Sequence, residues 1–359
     1  MIKELCIIGH PSLYGGADTE LLDQIKCWTK MGIKIYICHT GLIDNNLKKL
    51  DLSNKYNCIY LKPRQWNEIK GMHCISFCNG EFLTNLRHIK KFAKTTTFVN
   101  CMTWNFQKEI QAQHDGLIDF HLYQTDHALE KVSKNLKQLG IYRPIKFTPY
   151  FDSTIFPYYD KRPNDHFRFG RISRSDTNKF SSDQMYIYDN IESPIQKSGV
   201  ILGWNMKIKD KLKVQPKDLS ITKDSTLKFL VEYYKNYIQL LKEATISQQE
   251  FYQFCDVLIM ATDTFENLPR VGMEAMSSGS ILVVNNKGGW TVEVENNKTG
   301  FLCSNTNDFI KKSSLLAQDQ VLKDQIRGFA RESLLRSWGF EESAKSWQNV
   351  FDQWEKLIR

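Results

Sequence analysis

Short apolar runs alternate with amphipathic segments along the chain, which predicts strands and helices in turn. In the first half, the predicted strands are residues 4–9, 33–38, 98–104 and 118–123, and a helix over 18–31 has Asp18 as its predicted N-cap. In the second half, the predicted strands are 166–172, 200–204, 256–260 and 280–284, and the predicted helices are 223–237 and 268–278. Regular alternation of this kind predicts an α/β protein with parallel sheets.

The length predicts two domains, because 359 residues at about 150 residues per domain provide for two cores. Pro149 and Pro157 bracket a stretch that is followed by the polar segment 158–165, which is typical of a domain boundary. We therefore predict a first domain over 1–150, a second domain over 151–336 and a terminal helical segment over 337–359.

Composition is that of an ordinary globular protein, with 42% hydrophobic and 25% charged residues. The nine cysteines form no Cys-x-x-Cys pair and are odd in number, so we expect reduced thiols and a cytoplasmic protein. The N-terminus lacks the long apolar region of a signal peptide, and no segment approaches the ~20 apolar residues of a membrane span. We expect no transmembrane segment, and membrane contact only at the periphery.

The formal charge of +8 has two local sources, the basic runs at residues 87–94 and 207–213. Such runs are usually solvated faces, but they also attract anionic partners. A sugar nucleotide, a membrane surface and a nucleic acid all remain open as partners at this point.

Residues 266–300 combine two acids, a proline and a Gly-Gly turn around one apolar strand. Pro269 fits the start of a helix, and Gly279 fits the left-handed position that ends it. Glu266 then lies in the loop before the helix, and Glu274 lies about one and a half turns inside it. Acids near a helix start are ordinarily solvated, but the same helix terminus also attracts anions such as phosphate.

Glu266 and Glu274 are separated by seven residues and followed by Ala-Met-Ser-Ser-Gly at 275–279. This pattern resembles the donor-binding signature of retaining glycosyltransferases of group 1 (family 4-like), which have the GT-B fold. Gly288-Gly289 and residues 298–302 match the same family in register. The resemblance implies two Rossmann-like lobes with parallel sheets: an acceptor lobe over 1–150, a nucleotide-sugar donor lobe over 151–336, and a terminal helix that crosses back to the first lobe.

The resemblance also implies the reaction, which is metal-independent transfer of a hexosyl or related sugar, with retention, from a nucleotide sugar to a glycan, a lipid-linked sugar or a protein. Glu266 would contact the donor sugar, Glu274 the ribose, and Lys179 with Arg171 or Arg174 the diphosphate. Arg171 is preferred because it follows Gly170. The implied catalytic residues are Glu266, Lys179 and Arg171. The implied donor-binding residues are Gly15, Gly16, Arg171, Arg174, Lys179, Glu266, Asn267, Leu268 and Glu274. No metal site and no cofactor are expected beyond the nucleotide-diphosphate sugar co-substrate.

Two positions depart from the family pattern. Many members place a His near residues 103–105, where this chain has Trp104 and Asn105. Trp104 is a weak candidate for stacking on an acceptor, with burial in the core as the safer interpretation. His10 and His114 remain as candidate histidines. The family often has a Gly-Gly-x-x-Glu pattern, whose acid would fall on Val292, but this chain has its acid one place later at Glu293.

Two alternative functions remain open beside sugar transfer to a carbohydrate, lipid or protein. One is transfer of a sugar to a modified nucleic-acid base, which the basic balance permits. The other is a non-transferring sugar-nucleotide-binding protein or epimerase of the same fold.

Overall fold

The chain forms two compact units, Met1–Asp152 with Arg336–Arg359 and Ser153–Leu335, here called the first and second units. The computed structural model describes residues 2–12, 15–39, 50–160, 162–214, 218–221, 230–235 and 237–358, and the backbone alone at 218–221, 230–234 and 358. The observed division falls close to the predicted boundaries after residues 150 and 336.

The first unit contains a seven-stranded sheet in the order β3-β2-β1-β4-β5-β6-β7. All of its recorded strand pairs are parallel. The strands are β1 Glu4–Ile8, β2 Lys34–Cys38, β3 Ile59–Leu61, β4 His73–Phe77, β5 Thr95–Val99, β6 Phe120–Tyr123 and β7 Pro144–Lys146. The central strands are buried along their whole length, because helices cover both faces of such a sheet.

The helices of the first unit are α1 Gly16–Lys30, α2 Leu52–Tyr56, α3 Gly80–Ile89, α4 Gln107–His114 and α5 Asp126–Leu136. The N-cap of α1 is Gly15 and not Asp18 as predicted, because the helix begins two residues earlier at Gly16. Asp18 instead accepts a hydrogen bond from Ser12 at 3.1 Å.

The second unit contains an eight-stranded sheet in the order β10-β11-β12-β9-β8-β13-β14-β15. The strands are β8 His166–Ile172, β9 Gln196–Leu202, β10 Asp218–Ile221, β11 Leu230–Tyr234, β12 Ile238–Leu241, β13 Val257–Met260, β14 Ile281–Asn285 and β15 Gly300–Cys303. Neighbouring strands in the part of the sheet ordered β12-β9-β8-β13-β14-β15 are parallel, whereas β11 is antiparallel to both of its neighbours. The helix predicted over 223–237 is therefore wrong at β11, and residues 222–229 and 236 lie outside the described residues.

The helices of the second unit are α6 Gln184–Asn190, α7 Met206–Leu212, α8 Gln248–Phe254, α9 Arg270–Ser278, α10 Trp290–Glu293, α11 Thr306–Gln318 and the greater part of α12 Gln320–Trp338. The predicted C-terminal end of α9 is confirmed, because Gly279 closes the helix in the left-handed conformation with φ of 80°. The helix begins at Arg270 and not near Leu268, so Pro269 is its N-cap and not its first helical residue as predicted.

The final helix, α13 Phe340–Ile358, belongs to the first unit. Its Trp347 and Trp354 are fully buried in the core of that unit, and Trp347 packs edge-on against Trp28 with ring centroids 4.8 Å apart. Trp347 also donates a hydrogen bond to Gln24 at 2.8 Å. The terminal segment is thus part of the first core, as the predicted fold requires. In the described part of the chain, no helix has both the length and the apolarity needed to cross a bilayer.

Candidate functional site

Three loops of the second unit meet at the carboxyl ends of adjacent strands. Strand β13 lies between β8 and β14, and all three are parallel. The loops that follow them hold Lys179, Glu266 and Gly288-Gly289. Ligands of open parallel sheets bind at this edge, so the topology brings together residues that are far apart in the chain.

Glu266 and Lys179 form the ion pair of this site. The Lys179 ammonium lies 2.6 Å from Oε1 and 2.5 Å from Oε2 of Glu266. Their side chains are 24% and 15% exposed, respectively, so both remain accessible from solvent. A cation and a carboxylate are thereby held side by side, where one can receive a phosphate and the other a hydroxyl group.

The Gly288-Gly289 turn packs directly on the Glu266 loop. Gly289 donates its backbone N–H to the Glu266 carbonyl at 2.8 Å. A Cβ at Gly288 would lie 2.6 Å from the Glu266 carbonyl oxygen, and one at Gly289 would lie 1.8 Å from that of Asn267. The two glycines are therefore needed for close approach of the loops, a packing role that the sequence pattern leaves unspecified.

Glu274 projects from α9 toward helix α8. Its Oε2 accepts hydrogen bonds from Tyr252 Oη at 2.9 Å and from Gln248 Nε2 at 3.3 Å. Burial, and then the nearby Glu274 carboxylate, raise the pKa of Tyr252, so its hydroxyl remains a donor. Glu274 is only 5% exposed, and its predicted contact with a ribose stays a prediction.

Arg171 is not presented to a ligand, which corrects its predicted role. It is fully buried, and its guanidinium donates to Gln184 Oε1 at 2.7 Å and to the carbonyls of Ala261 at 3.0 Å and Lys179 at 2.5 Å. The guanidinium also lies 3.7 Å from the ring centroid of Phe180. Burial lowers the pKa of Arg171 to about 10. Its contacts tie the β8 and β13 loops together. Contact of Lys179 and Arg174 with a diphosphate stays a prediction.

Arg174 is exposed in the loop after β8, which leaves its guanidinium accessible to a ligand. Asn267 and Leu268 are only 6% and 8% exposed, so they form the buried part of the loop that holds Glu266.

Further side chains at this edge were not singled out from the sequence. Lys211 of α7 donates to Asp263 at 2.6 Å. Lys287 lies 5.5 Å from the ring centroid of Phe265, which is 47% exposed. Asp263 and Phe265 follow β13 and Lys287 follows β14, so their place after the same strand ends as the predicted site is the signal that would have found them. Lys211 follows β9 and belongs to the basic run 207–213.

Glu293 is a buried acid behind this site. It is 2% exposed, and neither of its carboxylate oxygens has a hydrogen-bond partner among the described residues. Val292, where the family pattern expects the acid, is instead 47% exposed. The residue that the sequence places one position late is therefore the one that packs inward.

The other predicted site residues lie in the first unit. Gly15 and Gly16 are at the start of α1, and Gly15 has φ of 94°. Trp104 is 57% exposed, so its predicted burial in the core is wrong. Asn105 accepts a hydrogen bond from Asn135 at 3.1 Å. Contacts of these residues with a donor or an acceptor stay predictions.

The two candidate histidines differ in their surroundings. His10 contacts Tyr60 Oη through Nε2 at 2.8 Å and the Pro11 carbonyl through Nδ1 at 2.7 Å. Burial lowers the pKa of His10, which favours a neutral ring. His114 is exposed and contacts Asp115 at 3.2 Å. No described group of three His, Cys, Asp or Glu side chains is arranged to hold a metal ion.

The basic runs carry several ion pairs. Arg87 pairs with Asp115 at 2.6 Å, Lys94 with Glu355 at 3.0 Å, and Lys90 with Asp119. These carboxylates offset much of the positive charge of the 87–94 run, which weakens the case for an extended anionic partner there.

Comparison with known proteins finds a family match within the second unit. Residues 208–333 match the model of the family described as Glycosyl transferases group 1, and this span contains Glu266, α9 and Gly288-Gly289. The matched residues make up about a third of the chain. Spore coat protein SA of Bacillus subtilis (strain 168) is 22% identical over 131 residues, which is 36% of this chain. That match spans 34% of the relative, about a third of its length.

Solved structures extend the likeness to the whole fold. HepE of Anabaena, in complex with UDP and glucose, has a TM-score of 0.68 at 14% identity and covers 98% of this chain and 100% of its own. TarM of S. aureus has a TM-score of 0.72 at 13% identity, with 98% and 99% covered. The predicted α/β GT-B fold is confirmed. The match over residues 208–333 agrees with the predicted family and enzyme class. The stereochemistry, the metal independence and the residue roles stay predictions.

Proposed function

We propose that the second unit is a glycosyltransferase domain that binds a nucleotide-diphosphate sugar at the carboxyl edge of its sheet and transfers the sugar with retention of configuration. The observation that carries the proposal is the Lys179–Glu266 pair, with 2.5 Å between Nζ and Oε2, at the meeting point of the β8, β13 and β14 loops. HepE, which has the same fold, was crystallised with UDP and glucose. A donor of that chemical class is the natural first candidate here.

In this proposal, each side chain of the site has a separate role. Lys179 and the exposed Arg174 receive the diphosphate and offset the negative charge that grows on it as the glycosidic bond breaks. These two cations supply the charge that a metal ion would otherwise provide. Glu266, released from Lys179 by the diphosphate, accepts hydrogen bonds from donor-sugar hydroxyls and stabilises positive charge at the anomeric carbon. Glu274 holds the ribose, and the leaving phosphate takes the proton of the acceptor.

We further propose, as the resemblance implies, that Gly15-Gly16 contact the donor and that Trp104 contacts the acceptor. The acceptor is a glycan, a lipid-linked sugar or a protein. We also propose a reducing compartment such as the cytoplasm, since all nine cysteines are free.

The experiment that tests the proposal is a nucleotide-release assay over a panel of nucleotide sugars, beginning with UDP-glucose. We expect release with at least one donor, and a fall of about 100-fold or more in turnover for Glu266→Gln, because a group that acts on developing charge has been neutralised.

Glu295→Gln is the matched control, since Glu295 is an exposed acid paired only with Lys298 in the described contacts. Equal turnover by the Glu266 and Glu295 variants would refute the site. If the protein binds the donor but releases no nucleotide, because the sugar passes neither to an acceptor nor to water, the alternative of a non-transferring protein would be favoured.

A further inference from the structure

Glu293 is buried, whereas glutamate side chains are ordinarily exposed to solvent. It ends α10, immediately after the Gly288-Gly289 turn, and its carboxylate packs against the first turn of α9. A Cβ at Gly272 would lie 1.8 Å from Glu293 Oε2, so the acid fills the space that the glycine leaves. The other close neighbour of that point is the ring of Trp290, at 2.9 Å.

The charged and titratable groups around Glu293 come from three elements. The loop after β13 contributes Glu266, α9 contributes Glu274 and Arg270, and α8 contributes Tyr252. Burial raises the pKa of Glu293 well above its usual range, and the Glu266 and Glu274 carboxylates raise it further. Of these groups, only Arg270 lowers the pKa. Two negative neighbours and one positive neighbour disfavour a third buried negative charge.

The absence of hydrogen bonds to Glu293 within the described structure points in the same direction. A carboxylate buried without hydrogen bonds costs far more free energy than a protonated carboxyl group, and in practice such a group is neutralised. A charge on Glu293 would also repel the two glutamates that the proposed reaction uses.

We propose that Glu293 is held as an uncharged carboxylic acid beneath α9 and that it positions Glu266 and Glu274 for the donor. The positioning half rests on the proposed function. Glu293 touches no reacting group itself. It acts by filling the space at Gly272 while keeping its charge away from both carboxylates.

The sign of the pH effect follows from the raised pKa. The unfolded chain releases this proton near pH ~4.3, whereas the folded chain keeps it to a higher pH. The folded state therefore binds more protons than the unfolded state in this window, and stability falls as pH rises from the unfolded pKa through the folded pKa. A glutamine at this position is neutral at every pH and does not show this loss.

Thermal unfolding of wild type, Glu293→Gln and Glu295→Gln from about pH 5 to about pH 9 tests the charge state without any substrate. We expect the Tm of Glu293→Gln minus that of wild type to increase steadily with pH, and the same difference for the exposed Glu295→Gln to stay flat. Parallel curves for Glu293→Gln and wild type would overturn the proposal. Should the glutamine variant fail to fold, Glu293→Met carries the same expectation, because an apolar side chain of similar volume is also uncharged.

The positioning half is tested by the donor KM over the same pH range. As Glu293 ionises, we expect KM of the wild type to rise relative to that of Glu293→Gln, while the ratio of their kcat values changes less. A constant KM ratio together with diverging Tm curves would refute positioning. If the wild type turns over no donor, the proposed function fails, and the Tm result still decides the charge state.

Discussion

Arg171 and Arg174 lie on either side of the end of β8, and that difference decides which of them is buried and which is exposed. Arg171 lies in β8, which continues to Ile172, and strands of a sheet covered on both faces point their side chains into buried layers. Arg174 comes after the strand has ended and is exposed. Both are arginines beside the same predicted phosphate site, so residue type alone favours neither. The end of the strand is what separates them.

Substitution of each arginine by methionine should therefore affect a different property. Arg171→Met removes the buried hydrogen bonds that the guanidinium donates to Gln184 Oε1 and to the Ala261 and Lys179 carbonyls, so we expect a loss of about 2 to 4 kcal/mol in the free energy of unfolding. Arg174→Met should change stability by less than about 0.5 kcal/mol and weaken UDP binding roughly tenfold. Urea unfolding and calorimetric titration separate the two. An Arg171→Met variant as stable as wild type would contradict the packing role.

Glu274 and Glu266 were identified from the spacing of the sequence, whereas Glu293 was not. The spacing identified acids that precede and enter a helix, and the structure places both near the same edge. The burial of Glu293 was not predicted, because glutamates are ordinarily exposed and nothing in a single sequence signals that one is buried without a hydrogen-bond partner. The glycine at 272, which leaves room for it, gains its meaning only from the packing.

At the scale of elements, helix α9 was predictable and the β10–β12 region was not. Pro269 and Gly279 act locally, so the sequence alone defines the C-terminal end of α9 and comes close to its start. Strand β11 instead owes its conformation to antiparallel pairing with β10 and β12, and β12 in turn pairs with β9, far away in the chain. Such pairing overrides the helical periodicity that the residues suggest.

The Gly288-Gly289 turn should tolerate added side chains poorly, because a Cβ at either glycine would lie too close to a backbone carbonyl oxygen. Gly289→Ala places a methyl group 1.8 Å from the Asn267 carbonyl oxygen, so the Glu266 loop must move. We expect a loss of about 3 kcal/mol in stability and a marked fall in donor turnover.

Gly328→Ala is the matched control, because Gly328 lies within α12 and a Cβ there meets nothing within 4 Å. That variant should gain about 0.5–1 kcal/mol from helix propensity. Equal stability of the two alanine variants would show that the loops do not pack as described.

At the scale of the whole molecule, the alternating pattern was sufficient to predict two α/β units. The pattern repeats in both halves, and each half has enough length for its own core. The sequence pattern alone did not show that α13 contributes Trp347 and Trp354 to the first core, since a terminal amphipathic helix has the same pattern wherever it packs. Its predicted place came from the family resemblance.

The central claim is that the second unit holds a nucleoside diphosphate through Lys179, and calorimetric titration with UDP tests it most directly. We expect wild type to bind UDP and Lys179→Met to bind at least ~10-fold more weakly, because a charge-assisted contact to phosphate is lost. Lys207→Met, which removes an exposed lysine of α7, should bind as wild type does. Equal affinity of Lys179→Met and wild type would contradict the claim.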